Sequence, residues 1–162
     1  MTELDKAGIE KGFAWVNNAR GDLITANSNY DSGDYAWSAF ISFTSAEKSL
    51  KAVIFMFEEN PEGMLRHPLR DYYERAMSYV PELARISEAV EVFEEYDSFI
   101  RYPLDSDRHS APTERYHQKD ADEASEAAAT IISAATDVVD AIFEIINEAY
   151  ASAAIDSVQH NQ

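Results

Sequence analysis

Between Ala124 and Ala149 the residues Ala124, Ala128, Ile131, Ala135, Val138, Ile142, Ile145 and Ala149 alternate strictly between spacings of four and three. With 3.6 residues per turn, that rhythm keeps one face of an α-helix apolar for about seven turns. A strand cannot use it, because strand faces alternate every second residue. A second stripe, Ile132, Val139, Phe143, Ile146 and Tyr150, widens the apolar face beyond what one neighbouring helix needs. The pattern predicts a helix over 121–153 packed in its own bundle; the alternative reading adds a homodimer contact on the wider face.

The rest of the chain follows the same period, with only five glycines and five prolines to interrupt it. A first helix is expected from about Leu4 to Ala26, with Ile9, Phe13, Val16 and Leu23 on one stripe. Asn27 to Gly33 reads as a turn cluster in which Ser32 or Asp34 caps the next helix. That second helix spans about Asp34 to Glu59 on Ala36, Phe40, Phe43, Leu50, Ile54 and Phe57. Val53 to Phe57 is apolar all round, the mark of a central helix. Asn60-Pro61-Glu62-Gly63 ends it, and a third begins near His67-Pro68 with Leu69, Tyr72, Tyr73, Ala76 and Val80. After Pro81 a fourth carries Leu83, Ile86, Val90, Phe93, Asp97 and Ile100, and stops at Arg101-Tyr102-Pro103 because a residue before proline avoids helical geometry. A polar loop follows over 101–119. No run has period two, so the fold class is all-α. The expected architecture is an up-and-down bundle of four to five helices in a single domain over 1–162, with an N-terminal helix inside 1–30 and a long C-terminal one.

Composition narrows the function classes. The absence of cysteine excludes disulfides and thiolate metal sites. No basic segment followed by an apolar run opens the sequence, and nothing approaches the ~20 apolar residues of a membrane span, so a cytoplasmic protein with no membrane association is expected. Thirty acidic residues against 13 basic ones give a net charge of −17, which disfavours DNA. Such acidity, with only five lysines, also fits a high-salt cytoplasm of a halophile, where the Debye length falls to ~3 Å at 1 M. Ten of the 13 basic residues lie between Lys48 and Lys119, so positive charge is offered by the middle of the chain.

Within that stretch Arg101-Tyr102-Pro103 places a donor fork beside a ring face, suited to a phosphate and a base. Lys48 and Lys51 sit one turn apart on the second helix; they can line a cleft, or Lys51 can simply pair with Glu47 for ~0.3–0.5 kcal/mol. Arg66, His67 and Arg70 repeat the theme at a helix start, where unpaired backbone donors suit an anion. No two of the four histidines stand three or four apart on a helix, and no metal or cofactor is expected. Glycine-rich phosphate loops and nucleophile elbows are missing as well.

Taken in order, Gly33-Asp34-Tyr35-Ala36-Trp37, Ala46-Glu47-Lys48-Ser49-Leu50-Lys51-Ala52, His67-Pro68-Leu69-Arg70, Arg101-Tyr102-Pro103 and Tyr116 with its alanine-rich helix resemble the HEPN family of nucleotide-binding helical bundles. The resemblance covers roughly Gly33 to Ile146. It implies a homodimer with a cleft near the interface, and a minimal nucleotidyltransferase as partner in a toxin–antitoxin module. It also implies a ligand site for a nucleotide or RNA at Lys48, Lys51, His67, Arg101, Tyr102 and Tyr116. One branch of the family are metal-independent ribonucleases using Arg-x(4–6)-His, the arginine on the phosphate and the histidine assisting the 2′-hydroxyl. Here Arg101 and His109 enclose seven residues, one too many for that motif. The resemblance therefore implies binding rather than cutting. Cleavage by Arg101 and His109, and a purely structural module in which Arg101 caps a helix, remain the alternatives.

Overall fold

The computed structural model describes residues 6–58, 68–94, 96 and 112–159. Six α-helices and one 3₁₀ segment make up these residues: α1 (Lys6–Asp31), α2 (Tyr35–Phe57), α3 (Leu69–Tyr79), the 3₁₀ segment (Pro81–Ile86), α4 (Ser87–Glu91), α5 (Pro112–Arg115) and α6 (Gln118–Gln159). Among the described residues there is no strand, and the fold is all-α.

α1 and α2 form an antiparallel hairpin. Asp34 caps α2 by accepting from the Trp37 backbone N–H at 3.4 Å, and Gly33 takes the left-handed φ of +79° that the reversal requires. The turn itself is shorter than the cluster Asn27–Gly33 suggested, because α1 runs on to Asp31. Polar side chains close their own helix there: Asn29 Nδ2 donates to the Thr25 carbonyl at 2.8 Å and Ser32 Oγ to the Ser28 carbonyl at 2.9 Å. Buried Ala26 and bonds from α6 to Asn27 and Tyr30 hold that last turn in the bundle. Residues that favour turns in isolation are here overruled by tertiary packing.

α2 is the central helix, as its apolar run suggested. It packs against α1, α3 and α6, and buries Phe43, Leu50, Val53 and Ile54 almost completely. Each such side chain contributes ~1.5–3 kcal/mol on leaving water. Small residues bring the backbones together: Ser38, Ala39, Ser42, Ser45, Ala46 and Ser49 are all buried, and Ser45 Oγ donates across to the Ala19 carbonyl at 2.7 Å. At Gly12 a β-carbon would stand 2.7 Å from Met56 Cγ, so glycine is needed for this approach.

The stretch after Pro81, expected as one α-helix, begins instead as six residues of 3₁₀ helix followed by the short α4. Pro81 opens this segment, and Leu83 and Ile86, three apart, are both buried. Inside the expected polar loop lies the short α5.

α6 is 42 residues long, starting earlier and ending later than 121–153. Asp120 Oδ2 accepts from the His117 backbone N–H at 2.7 Å and fixes its start. It runs antiparallel to α1, with Gln118 on Tyr30, Ser125 on Asn27, Arg20 on Thr136, and Phe143 edge-on to Phe13 at 5.4 Å. Ala124, Ala128, Ile131 and Ala135 of the seam are buried, but Ile145 is 63 % exposed. Val138 and Ile142 are partly buried against the core, and the end of the seam, Ile145 and Ala149, is left open.

Two glycines of α1 test this packing. A β-carbon added at Gly21 would have nothing within 4 Å, whereas one at Gly12 meets Met56. Gly21→Ala is expected to add ~0.8–1 kcal/mol from helix propensity and raise Tm by ~2–4 °C in calorimetry. Gly12→Ala loses that gain to overpacking of ~1–3 kcal/mol, and its Tm does not rise.

Candidate functional site

The two lysines of α2 lean apart. Lys48 Nζ turns to α1, where it donates to Asn18 Oδ1 at 2.5 Å and pairs with Asp22 at 2.5 Å. Lys51, only 8 % exposed, pairs with Glu47 one turn before it and lies 4.7 Å above the ring of Tyr72 on α3. A buried ammonium needs such a carboxylate and such a ring face. Lys51 therefore anchors α3 to α2.

At the head of α3, Pro68, Leu69, Arg70, Asp71, Phe93 and Glu94 line a pocket of about 300 Å³. No side chain caps this helix start. Arg70 bonds to Glu94, with Glu91 4.0 Å away, so its charge is already balanced. From the pocket wall an aromatic series leads outward: Phe93 to Tyr96 at 5.4 Å, and Tyr96 to Tyr116 at 5.3 Å. Phe93 also meets Phe43 of α2 edge-on at 5.8 Å. The structure thus ties Tyr116 to the α3 pocket through two ring contacts. Lys48 is placed elsewhere, on the α1 side of α2. His67, Arg101, Tyr102 and His109 lie outside the described residues.

A second clamp joins the end of α2 to α3. Glu58 accepts from Arg75 Nε at 2.8 Å and from the Tyr79 hydroxyl at 2.9 Å, while Phe57 and Tyr79 stack at 4.8 Å. The Arg75 hydrogen bonds hold the Glu58 carboxyl below its ordinary range, with Tyr79 adding to them and partial burial opposing. The same carboxylate raises the Tyr79 phenol.

Two tryptophans absent from the sequence-derived site complete the picture. Between α1 and α2 an open recess of about 310 Å³ is lined by Ala14, Trp15, Asn18 and Lys48, and Trp15 is stacked on Phe55 at 5.2 Å. The recess adjoins a longer feature, a half-buried line along α2 whose far end α1 covers through Trp15 on Phe55 and Asp22 on Lys48. Trp37, which is 51 % exposed and stacked on Phe40, begins a line continued by Ile41, Thr44, Lys48 and Phe55. These positions repeat at four, three, four and seven, one face of a helix. That spacing is present in the sequence, but the buried face of α2 is equally apolar and hides it. Among the described residues no group of three histidine, cysteine or carboxylate side chains could hold a metal ion. No described helix is long and apolar enough to cross a membrane.

Comparison with known proteins follows the same lines. The family model described as the HEPN domain matches residues 14–152. Among solved structures, that of TT1696 from Thermus thermophilus is similar, with a TM-score of 0.63 and 27% sequence identity over 78% of this chain and 97% of that one. No curated protein matches the chain.

The buried pair and the clamp each have a measurable signature. Lys51→Met strands the Glu47 carboxylate and is expected to cost ~3 kcal/mol in urea unfolding, whereas Lys51→Met with Glu47→Leu recovers most of the loss. Glu58 has a folded pKa below its unfolded one, so its contribution is present above the unfolded value and is lost as pH falls through the folded one. Glu58→Gln should therefore flatten the acid limb of the urea midpoint below about pH 4.5.

Proposed function

The chain belongs to the HEPN domain family, and from that premise we propose that it acts as a partner-binding module whose first partner is a second copy of itself, seated on the open line of α2. The observation that carries this reading is the chemistry of that line. Trp37, Ile41, Thr44 and Phe55 offer an apolar strip on the most buried helix of the bundle, with the Trp15 recess beside it. α2 contains two lysines and one glutamate, in a chain of net charge −17. Two such chains repel one another, so self-association is least opposed where carboxylates are fewest. The first turns of this line, Trp37, Ile41 and Thr44, are suited to helix-against-helix association. A nucleotidyltransferase, the partner that the family resemblance implies, would then meet a dimer of this module.

A nucleotide-binding role has its own support in the α3 pocket, with an uncapped helix start, Arg70, and rings running from Phe93 towards Tyr116. A phosphate there would compete with Glu94 for Arg70. Arg101, Tyr102 and His67 are the further candidates for that site. The Arg101–His109 spacing favours binding over cleavage.

Size-exclusion chromatography with light scattering tests the first reading. Wild type is expected as a dimer, and Trp37→Glu with Ile41→Glu as a monomer of unchanged helical circular dichroism; a variant that stays dimeric refutes it. For the second, titration calorimetry with ATP should give heat that Arg70→Ala removes. Absence of heat with the wild type would count against nucleotide binding and leave the dimer untouched.

A further inference from the structure

The distal half of α6 is a second open surface, and it differs from the α2 line in charge. Phe143 and Tyr150 are seven residues apart, so they share one line of the helix. They are 42 % and 62 % exposed, and the edge contact with Phe13 covers Phe143 only in part. Asn147 lies between them. Asp140 and Glu144 follow on the adjoining solvent side, and both are exposed. Every charged residue of α6 after Lys119 is a carboxylate. Asp137 is paired with Arg85 at 2.7 Å, but Asp140, Glu144 and Glu148 form no ion pair with the described residues. An apolar line bordered by unneutralised carboxylates has two requirements of its occupant: apolar side chains and positive charge.

We propose that this surface docks a basic amphipathic helix of another protein, its apolar side chains on Phe143 and Tyr150 and its lysines or arginines on Asp140 and Glu144. A second copy of this chain, docked through the same face, fits poorly here, because it would set the same carboxylates against one another with no cation on α6 beyond Lys119, which is paired with Glu123. The α2 line has the opposite character, one glutamate already paired with Lys51. The two surfaces therefore select different partners, and the partner of α6 need not disturb the dimer on α2. Complementary charge would speed encounter and set orientation, while the two rings would hold the complex.

The probe is a synthetic helical peptide with leucines along one face and lysines on its flanks, followed by fluorescence anisotropy against the full chain. Its controls are the same composition scrambled, and the same pattern with glutamate for lysine. The ordered basic peptide should bind at least ten-fold more tightly than either control. Tyr150→Ser, at a side chain that is mostly exposed, should weaken it about ten-fold, as should Asp140→Lys with Glu144→Lys. Trp37→Glu with Ile41→Glu should leave peptide binding unchanged whatever it does to the oligomer. Equal binding of ordered and scrambled peptides, or indifference to Tyr150→Ser, overturns the proposal. So does a wild-type dimer that Tyr150→Ser converts to monomer, since α6 would then be the face between copies.

Discussion

The close approach of α1 to α2 is the contact on which the rest of the molecule depends. Ser45 reaches the Ala19 carbonyl directly, and Gly12 gives way to Met56. With small residues at the crossing, two backbones come near enough for α6 to bridge both. Alanine-rich α6 fits because Ala124, Ala128 and Ala135 leave room where larger side chains would hold the helices apart. α3 is then added on the far end of α2 by the Lys51 pair and the Glu58 clamp. Each later element rests on a helix that the α1–α2 crossing has already positioned.

Charge is distributed just as selectively. In this acidic chain Lys48, Lys51, Arg70, Arg75 and Arg85 each meet a carboxylate. Such pairs add little stability where they are exposed, but they cancel positive charge that could draw nucleic acid to the helical framework. Outside these pairs, Trp37 is exposed on α2, and Phe143 and Tyr150 are exposed beside carboxylates on α6. The pocket at the head of α3 is different, since an uncapped helix start there adjoins the Arg70–Glu94 pair.

Most of the framework was legible in the residues. The four-and-three alternation of α6, the all-round apolar run Val53–Phe57 and the Asp34 cap each act locally, and each appears where the sequence places it. What escaped was set by contacts between distant segments. Asn27–Asp31 is helical because α6 holds it, and Pro81–Ile86 is 3₁₀ although its apolar spacing suits an α-helix equally well. For the site, the lysines were visible but their directions were not: a spacing of three places Lys48 and Lys51 on neighbouring lines, and only α1 and α3 decide where each ammonium goes. Trp37 reads as an ordinary apolar residue until the neighbours that leave it exposed are known.

The central claim is that the open line of α2 meets its own copy. The chain has no cysteine, so a spin label can be placed at one chosen position. Thr44 lies half-buried in the middle of that line, and exposed Ala129 lies on α6. In double electron–electron resonance, label at Thr44→Cys should give a single sharp distance between protomers, shorter than that from Ala129→Cys. No dipolar coupling at Thr44→Cys, or a shorter distance from the α6 label, would contradict the account.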